Sequence, residues 1–532
     1  MLGAAQFLMV LDQAVMNVAI SQLVDDFDTT VTTIQAVIAF YALVMAALMM
    51  TGGKLGDLWG RRRAFVIGLC IYGTGSALTA ASWSVPSLAL GWSVLEGVGA
   101  ALVLPAMFAL VAGNFQARER AVAYGVLGGV AGAGIAVGPI LGGWATTELT
   151  WRIVFAGEVV VAIGILLGSR LIVEPPREEG KELDVLGGIL SALGLGIIVM
   201  GVLQASNWGW LAPRNSPVEP FGFSLTPFVI AAGACVLGLF VHWQRHREAS
   251  GREPLIHLDL LRLPRLRGGV AMLLAQNLIL MGIFFTVPLF LQIVQGLDAL
   301  ETGVRMLPAS VGLFLSAIAG SALSRRLSPK LLVRAGLGIV FLAALLLLDT
   351  VEIELDNAAF LIAMGVLGIG MGLIVSQLGN VVQSAVGDAD RSEAGGLQST
   401  AQQLGSSLGT ALLGAIVISG LIFAFSNNVA DNPAISAEVR GEVQVALGSG
   451  VSFVPAAEVE AGATKAGADP ATTEALVAEY EDAQLKALKT AFLCAALFAL
   501  ASLFFARNLP SEPFGEGSGE TAAAGEPPPA PA

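Results

Sequence analysis

Apolar runs of about twenty residues, broken by short polar or glycine-rich turns, recur along the whole 532-residue chain. About twenty apolar residues at ~1.5 Å rise cover the ~30 Å of a bilayer's hydrocarbon, so each run predicts a membrane-spanning helix. The first six spans are predicted over Leu2–Leu23, Val31–Thr51, Ala64–Ala81, Leu88–Gly113, the glycine-rich run 124–144, and a run that begins at Trp151. Two more follow at Val185–Gln204 and Leu225–His242. Six others fall at about 268–293, 303–323, 331–350, 358–383, 397–425 and 485–506. The pattern therefore predicts an all-α polytopic membrane protein of about fourteen helices, grouped six, two and six. It divides into residues 1–173, a linker 174–267 that contains the two extra spans, and residues 268–508, leaving a tail at 509–532.

The polar stretches orient these spans. Gly53–Arg63 reads GKLGDLWGRRR, with Lys54, Arg61, Arg62 and Arg63 in one short turn. Loops rich in lysine and arginine stay on the cytoplasmic side, which predicts that both termini are cytoplasmic. Arg245–Arg267 is a second basic stretch, and its PLIHLDLL core suggests an amphipathic segment on the membrane surface. The loop 427–482 lies on the opposite side; from Asp431 to Asp482 it holds ten acids against Arg440 and Lys465. Its stretch Thr472–Leu485 predicts a small helical cap. The Gly/Pro/Ala/Glu-rich tail reads as disordered.

Composition narrows the function. Only 13% of residues are charged and 55% are hydrophobic, where soluble proteins carry about 25% charge. The net charge is −13, but its distribution matters more: lysine and arginine gather in the loops read as inside, the acids in one outer loop and the tail, and that asymmetry argues against nucleic-acid binding. Cys70, Cys235 and Cys494 all lie in apolar runs and form no disulfide framework or metal-ligand spacing. No GxxxxGK[ST] loop is present, which excludes ATP hydrolysis of that type on this chain. The first run lacks a basic flank or cleavage site and reads as a retained span. No enzyme's nucleophile, base and metal set stands out, and neither a metal nor a cofactor is expected.

Within the spans, charge is scarce and therefore informative. Asp12 lies about ten residues into the first span and Glu96 about nine into the fourth, both near ~15 Å depth by helix rise. Glu158 is about seven residues into the sixth span. A charged group at the midplane costs a few kcal/mol or more and normally faces a cavity, although packing against neighbouring helices is the plainer alternative. Gln276, Asn277, Gln292 and Gln377 are polar positions in later spans. Such amides more often bridge helices than bind substrate, yet they are candidates for substrate contact.

Several of these stretches carry a family resemblance. Gly53, Gly56, Asp57, Gly60, Arg61 and Arg62 match the loop G-x-L-a-D-r-x-G-r-k/r between the second and third helices of the major facilitator superfamily. Gly125, Gly134, Gly138, Pro139, Gly142 and Gly143 fit that superfamily's fifth-helix antiporter motif at every position. LDQAVMNVAI around Asp12 and Asn17 resembles the first-helix motif of the fourteen-helix, EmrB/QacA-type drug:proton antiporters, although Gln13-Ala14 and the missing proline depart from it. SVLEGVGAA resembles the fourth-helix motif, with Ser93 at its arginine, Glu96 at its glutamine, and Gly97 and Gly99 matching. The WRxxF of the sixth span matches too, with Glu158 where asparagine is more usual.

The resemblance implies two six-helix bundles around a central cavity, with two inserted helices outside that core. It further implies a proton-driven multidrug exporter working by alternating access in a bacterial plasma membrane. Protons would be the coupling ion and lipophilic, cationic small molecules the cargo, moved by a monomer. Asp12 and Glu96 would carry the proton, since a carboxyl held away from water can bind and release one near neutral pH. The alternatives are an exporter of one lipid, siderophore or metabolite on the same fold, and a non-transporting sensor or scaffold. The acids at Asp12, Asp57 and Glu96 argue against the last.

Overall fold

Helix caps and turns fall where local chemistry requires them. Thr30, Asp184, Asp298, Ser328 and Asp356 each accept a hydrogen bond from a backbone N–H in the first turn that follows, satisfying donors that a helix start leaves free. Gly60 ends one helix and begins the next at φ +100°, a left-handed value that glycine tolerates. The computed structural model describes residues 1–114, 117–174, 183–324, 326–387, 391–433, 435–449 and 453–513. Residues 175–182 of the expected linker 174–267, Arg325, and the tail from 514 lie outside the described residues.

The N-terminal bundle contains α1 (Leu2–Val18), α2 (Ile20–Asp26), α3 (Val31–Trp59), α4 (Arg61–Ala80), α5 (Val85–Leu88), α6 (Gly97–Asn114), α7 (Ala117–Glu148) and α8 (Arg152–Gly168). A π-helical segment, Ala89–Glu96, joins α5 to α6 within the fourth span. The inserted pair is α9 (Val185–Trp208) and α10 (Thr226–Ala249). The C-terminal bundle contains α11 (Pro264–Leu289), α12 (Ala299–Leu323), α13 (Pro329–Asp349), α14 (Asn357–Gln383) and α15 (Arg391–Asp431). After α16 (Ala437–Ser449) and α17 (Ala456–Lys465), α18 (Pro470–Ser502) completes it. Among the described residues thirteen helices are long and apolar enough to span a membrane, and the α1–α2 pair brings the number to fourteen.

Four sequence expectations need correction. The first span is not one helix: α1 and α2 bend by 66° at Ala19. Gln292 fills that break, donating to the Val18 carbonyl at 2.8 Å and accepting from the Ser21 N–H at 3.2 Å and its hydroxyl at 2.7 Å. The eighth span runs on to Ala249 as α10, past its predicted end at His242. The PLIHLDLL segment does not lie on a membrane surface: Leu255 and Ile256 are buried in the protein, and Gln244 accepts from the Leu255 N–H. Thr472–Leu485 is not a separate cap but the N-terminal part of the last long helix, because α18 starts at Pro470. There it pairs with the extended end of α15, where Phe425 meets Tyr480 edge-on at 5.3 Å and Asn432 donates to Glu479.

The two bundles meet along two seams. At one, α3 lies along α15: Gln35 donates to the Thr410 and Ala411 carbonyls and Ser407 to that of Ala39. At the other, α7 lies along α12. Pro139 cannot donate to the Ile135 carbonyl one turn back, and Ser310 of α12 takes that carbonyl instead at 3.0 Å. The inserted pair stands beside the first seam, with α9 against α3 and α15. Its two helices are tied by Asp184, which accepts from the Gly187 N–H, the Trp243 indole and the Gln244 amide.

Candidate functional site

Glycines bring the acids of the N-terminal bundle together. A Cβ on Gly75 would strike Glu96, and one on Gly91 would strike Thr79, so α4 and the π segment cross at backbone contact. The glycine stripe of α7 does the same for α1. A Cβ at Gly134, Gly138 or Gly142 would run into Val10, Ala14 or Val15, the residues that flank Asp12. Small residues at four-residue spacing permit such approach.

The result is a cluster of three carboxylates. Asp12 of α1, Glu96 at the end of the π segment and Glu158 of α8 place oxygens within 4.8 Å of one another. Their exposures are 0%, 0% and 2%. Each carboxylate is held by one oxygen. The Trp92 indole donates to Asp12 at 2.7 Å, Thr79 to Glu96 at 2.8 Å, and Ser76 and Tyr72 to Glu158 at 3.0 and 3.1 Å. The other oxygen of each has no hydrogen-bond partner. Tyr41 stacks on Trp92 at 4.4 Å, and its hydroxyl, also without a partner, lies beside Asp12. Among the described residues no lysine, arginine or histidine pairs with any of the three.

Three bare anions cannot share such a place. At 4.8 Å and an effective dielectric near 20, each pair repels by about 3–4 kcal/mol, beyond the desolvation of each charge. The cluster therefore holds compensating positive charge, and what it can do chemically is bind and release that charge.

The other predicted positions lie elsewhere. Ser93, at the expected arginine position, is buried and donates to the Val37 carbonyl of α3. Gln276 and Asn277 bond to each other on α11, and Asn277 also donates to Leu273. Gln377 donates to the Gly320 carbonyl and to Ser376. Gln292 occupies the α1–α2 break. None of the four amides joins the cluster. In the basic loop, Arg61 reaches Asp57 at 3.4 Å and the Ala109 carbonyl at 3.2 Å. Gly53 and Gly56 lie near Pro105 and Ala64, and Arg62 donates its backbone N–H to Glu174. On the outer half of α7, Gly143 abuts Ala299 and the Pro139 carbonyl abuts Gly303, so this motif touches α1 on one side and the opposite bundle on the other.

Sequence reading missed the π segment and Asp184. It also missed a strap at the basic-loop end. There Glu253 pairs with Lys54 of α3 at 3.1 Å, while Glu393 of α15 accepts from the His257 N–H and meets its ring at 2.9 Å.

The family model for the Major Facilitator Superfamily matches residues 2–410. The chain belongs to that superfamily. Among curated relatives, the puromycin resistance protein of Streptomyces alboniger is 32% identical over 85% of this chain and 88% of its own length. The probable actinorhodin transporter of Streptomyces coelicolor is 30% identical over 77% and 70%. The multidrug efflux pump LfrA of Mycolicibacterium smegmatis is 28% identical over 83% and 84%. In fold, the chain resembles a bacterial homolog of the lysosomal transporter Spinster in its inward-facing state, with a TM-score of 0.59 and 14% identity over 96% of both chains. It also resembles a D-xylose–proton symporter, with a TM-score of 0.55 and 14% identity over 85% of this chain and 96% of that one. This superfamily member is a multi-pass membrane transporter, and its relatives are antibiotic and multidrug exporters.

Proposed function

We propose that the protein exports lipophilic, chiefly cationic small molecules from a bacterial cell in exchange for protons. The single observation that carries this reading is the cluster of Asp12, Glu96 and Glu158, three buried carboxylates without a fixed counter-charge. Such a site is neutral when three protons are bound, so loading and unloading them changes the charge on α1, α8 and the fourth span. The glycine contacts from α7 to α1 and to α12 give that change a route to the opposite bundle. The names of the relatives support small-molecule export, both of single antibiotics and of many drugs. Export of one specific metabolite is therefore the second reading.

The basic loop Gly53–Arg63 lies inside under this proposal, with both termini cytoplasmic. The acids are sealed within the N-terminal bundle in this conformation, so cargo and proton communicate through helix movement rather than by touching one another. In carriers, coupling-ion sites lie near the midplane at the interface between structural repeats. The test is efflux from proteoliposomes against an imposed pH gradient, with one cationic dye and one neutral lipophile. Efflux that ignores the gradient overturns proton coupling. Failure with all dyes but success with one metabolite moves the reading to a dedicated exporter.

A further inference from the structure

We propose that the Asp12–Glu96–Glu158 cluster also binds a dehydrated alkali cation of Na⁺ size, in exchange for protons. This inference rests on the reading of the cluster as the coupling-ion site and names a second ion for it.

Geometry comes first. Three oxygens no more than 4.8 Å apart leave a midpoint within about 2.8 Å of each. Ca²⁺ takes oxygen ligands at about 2.3–2.6 Å, and Na⁺ has nearly the same radius, so a shift of a few tenths of an ångström closes the shell. Donor chemistry agrees, since hard cations select oxygen. Around the cluster stand six carboxylate oxygens and the hydroxyls of Tyr41, Tyr72, Ser76 and Thr79.

A second observation concerns a neutral group beside the acids. The Tyr41 hydroxyl is buried, with 1% of the residue exposed, and faces Asp12 without closing to a hydrogen bond of ordinary length. A buried hydroxyl without a partner is costly unless something occupies the space it faces. The unused oxygen on each carboxylate is in the same position, while the partner of its twin fixes the side chain. Ser76, Thr79, Tyr72 and Trp92 thus orient the acids and leave one oxygen of each free to take a ligand.

Charge selects the ion. The titratable groups facing the cluster are Tyr41 from α3 and Tyr72 from α4, besides the three acids; no cationic side chain among the described residues pairs with them. One Na⁺ with two protons makes the site neutral, as do three protons. Entry of Na⁺ with departure of one H⁺ leaves the net charge unchanged. The desolvation penalty grows with the square of the ionic charge, so a divalent ion loses far more than Na⁺ on entering a sealed apolar bundle. Mg²⁺ also sheds water reluctantly.

The experiment uses the full-length protein in nanodiscs. Thermal unfolding is followed at pH 8 in NaCl, KCl, CaCl₂ and choline chloride at equal ionic strength. The expected result is a saturable rise in Tm with NaCl alone, because a ligand that binds only the folded state stabilises it. The rise should shrink at pH 6, where protons compete, and vanish in Glu158→Gln. Should that variant fail to fold, the wild type decides: NaCl added to lightly buffered protein should release up to one proton per chain, and choline chloride none. No Na⁺-specific rise and no proton release, in protein that still shows pH-driven efflux, overturns the inference and leaves the proton reading standing. An equal or larger rise with CaCl₂ overturns the choice of an alkali ion. Absence of pH-driven efflux is a separate failure, that of the reading beneath it.

Discussion

The two bundles share a six-helix plan but bury different chemistry. The N-terminal one encloses three carboxylates that pair with no cationic side chain among the described residues. The C-terminal one carries neutral amides: Asn277, Gln292 and Gln377 donate to carbonyl oxygens or to neighbouring polar side chains, and Gln276 accepts from Asn277. An amide bonded to a carbonyl is settled chemistry, since it has donor and acceptor and needs no proton. Three acids in a dry pocket are unsettled, and they become comfortable only as charge enters. Under the proposed function, ion chemistry belongs to one half and mechanical response to the other. Repetition of a fold therefore does not imply repetition of a site.

The sharpest way to break this comparison is to neutralise one residue on each side. Asp12→Asn should abolish pH-driven efflux of both a cationic dye and a neutral lipophile, a loss of about tenfold or more in rate. Gln377→Leu, which disturbs a bond to the Gly320 carbonyl, should leave coupling intact with a modest loss of stability, about 1 kcal/mol. Equal losses of coupling in both variants would end the division of labour. Glu96→Gln should weaken pH-driven export of the cation and of the neutral lipophile alike, and a loss confined to the cation would place cargo at the cluster itself.

Next in size is the lever between the halves. Gly138→Leu places four extra carbons where the Cβ alone would strike Ala14 of α1. Insertion should survive, because the helix remains apolar, but efflux should fall about tenfold as α1 and α7 are forced apart. Wild-type efflux from this variant would show that the stripe is not a tight surface.

What the sequence revealed depended on length and isolation. Fourteen spans were legible because about twenty apolar residues in a row have few other uses. The acids stood out because each is alone in an apolar helix. Their convergence was partly legible: equal depth hinted at Asp12 and Glu96, while Glu158 read as shallower and joins them through the tilt and crossing of α4 and α8, which no linear pattern records. The break at Ala19 was hidden, since the residue that stabilises it, Gln292, lies far away in the chain. The strap was misread as a membrane-surface segment because Leu255 and Ile256 look equally apolar whether they meet lipid or protein.

Gln292 offers a test of the mechanical half. It makes three hydrogen bonds to Val18 and Ser21 across the bundles, at the end opposite the basic loop. Gln292→Leu leaves the Val18 carbonyl and Ser21 N–H without that partner, which destabilises the closed form of this end. The expected outcome is a severalfold drop in efflux with proton coupling retained. Disulfide formation between Thr147→Cys and Leu300→Cys, neighbours at that end, should slow in a background without native cysteines. Unchanged cross-linking would mean that the break holds itself shut.

The smallest effect belongs to the strap. Its two contacts join different bundles: Glu253 holds Lys54 of α3, and His257 holds Glu393 of α15. When the basic-loop end opens, α3 and α15 separate, so at least one contact must yield. The pair Lys54–Glu253 is partly exposed, with side-chain exposures of 12% and 32%, so its strength is of the order of a surface ion pair, about 0.2–1 kcal/mol. Glu253→Gln keeps the shape and weakens the charge attraction, and should therefore speed opening of this end by about two- to fivefold without touching the acids. The readout is disulfide formation between Met50→Cys and Gly396→Cys, which face each other where α3 meets α15. Slower formation of that cross-link at low salt, and none of the difference at high salt, is the expected signature because screening removes an exposed charge pair first. A salt-independent change would mean that packing of Leu255 and Ile256, rather than the ion pair, holds the strap. That result would place the inserted helices with the mechanical half by shape alone.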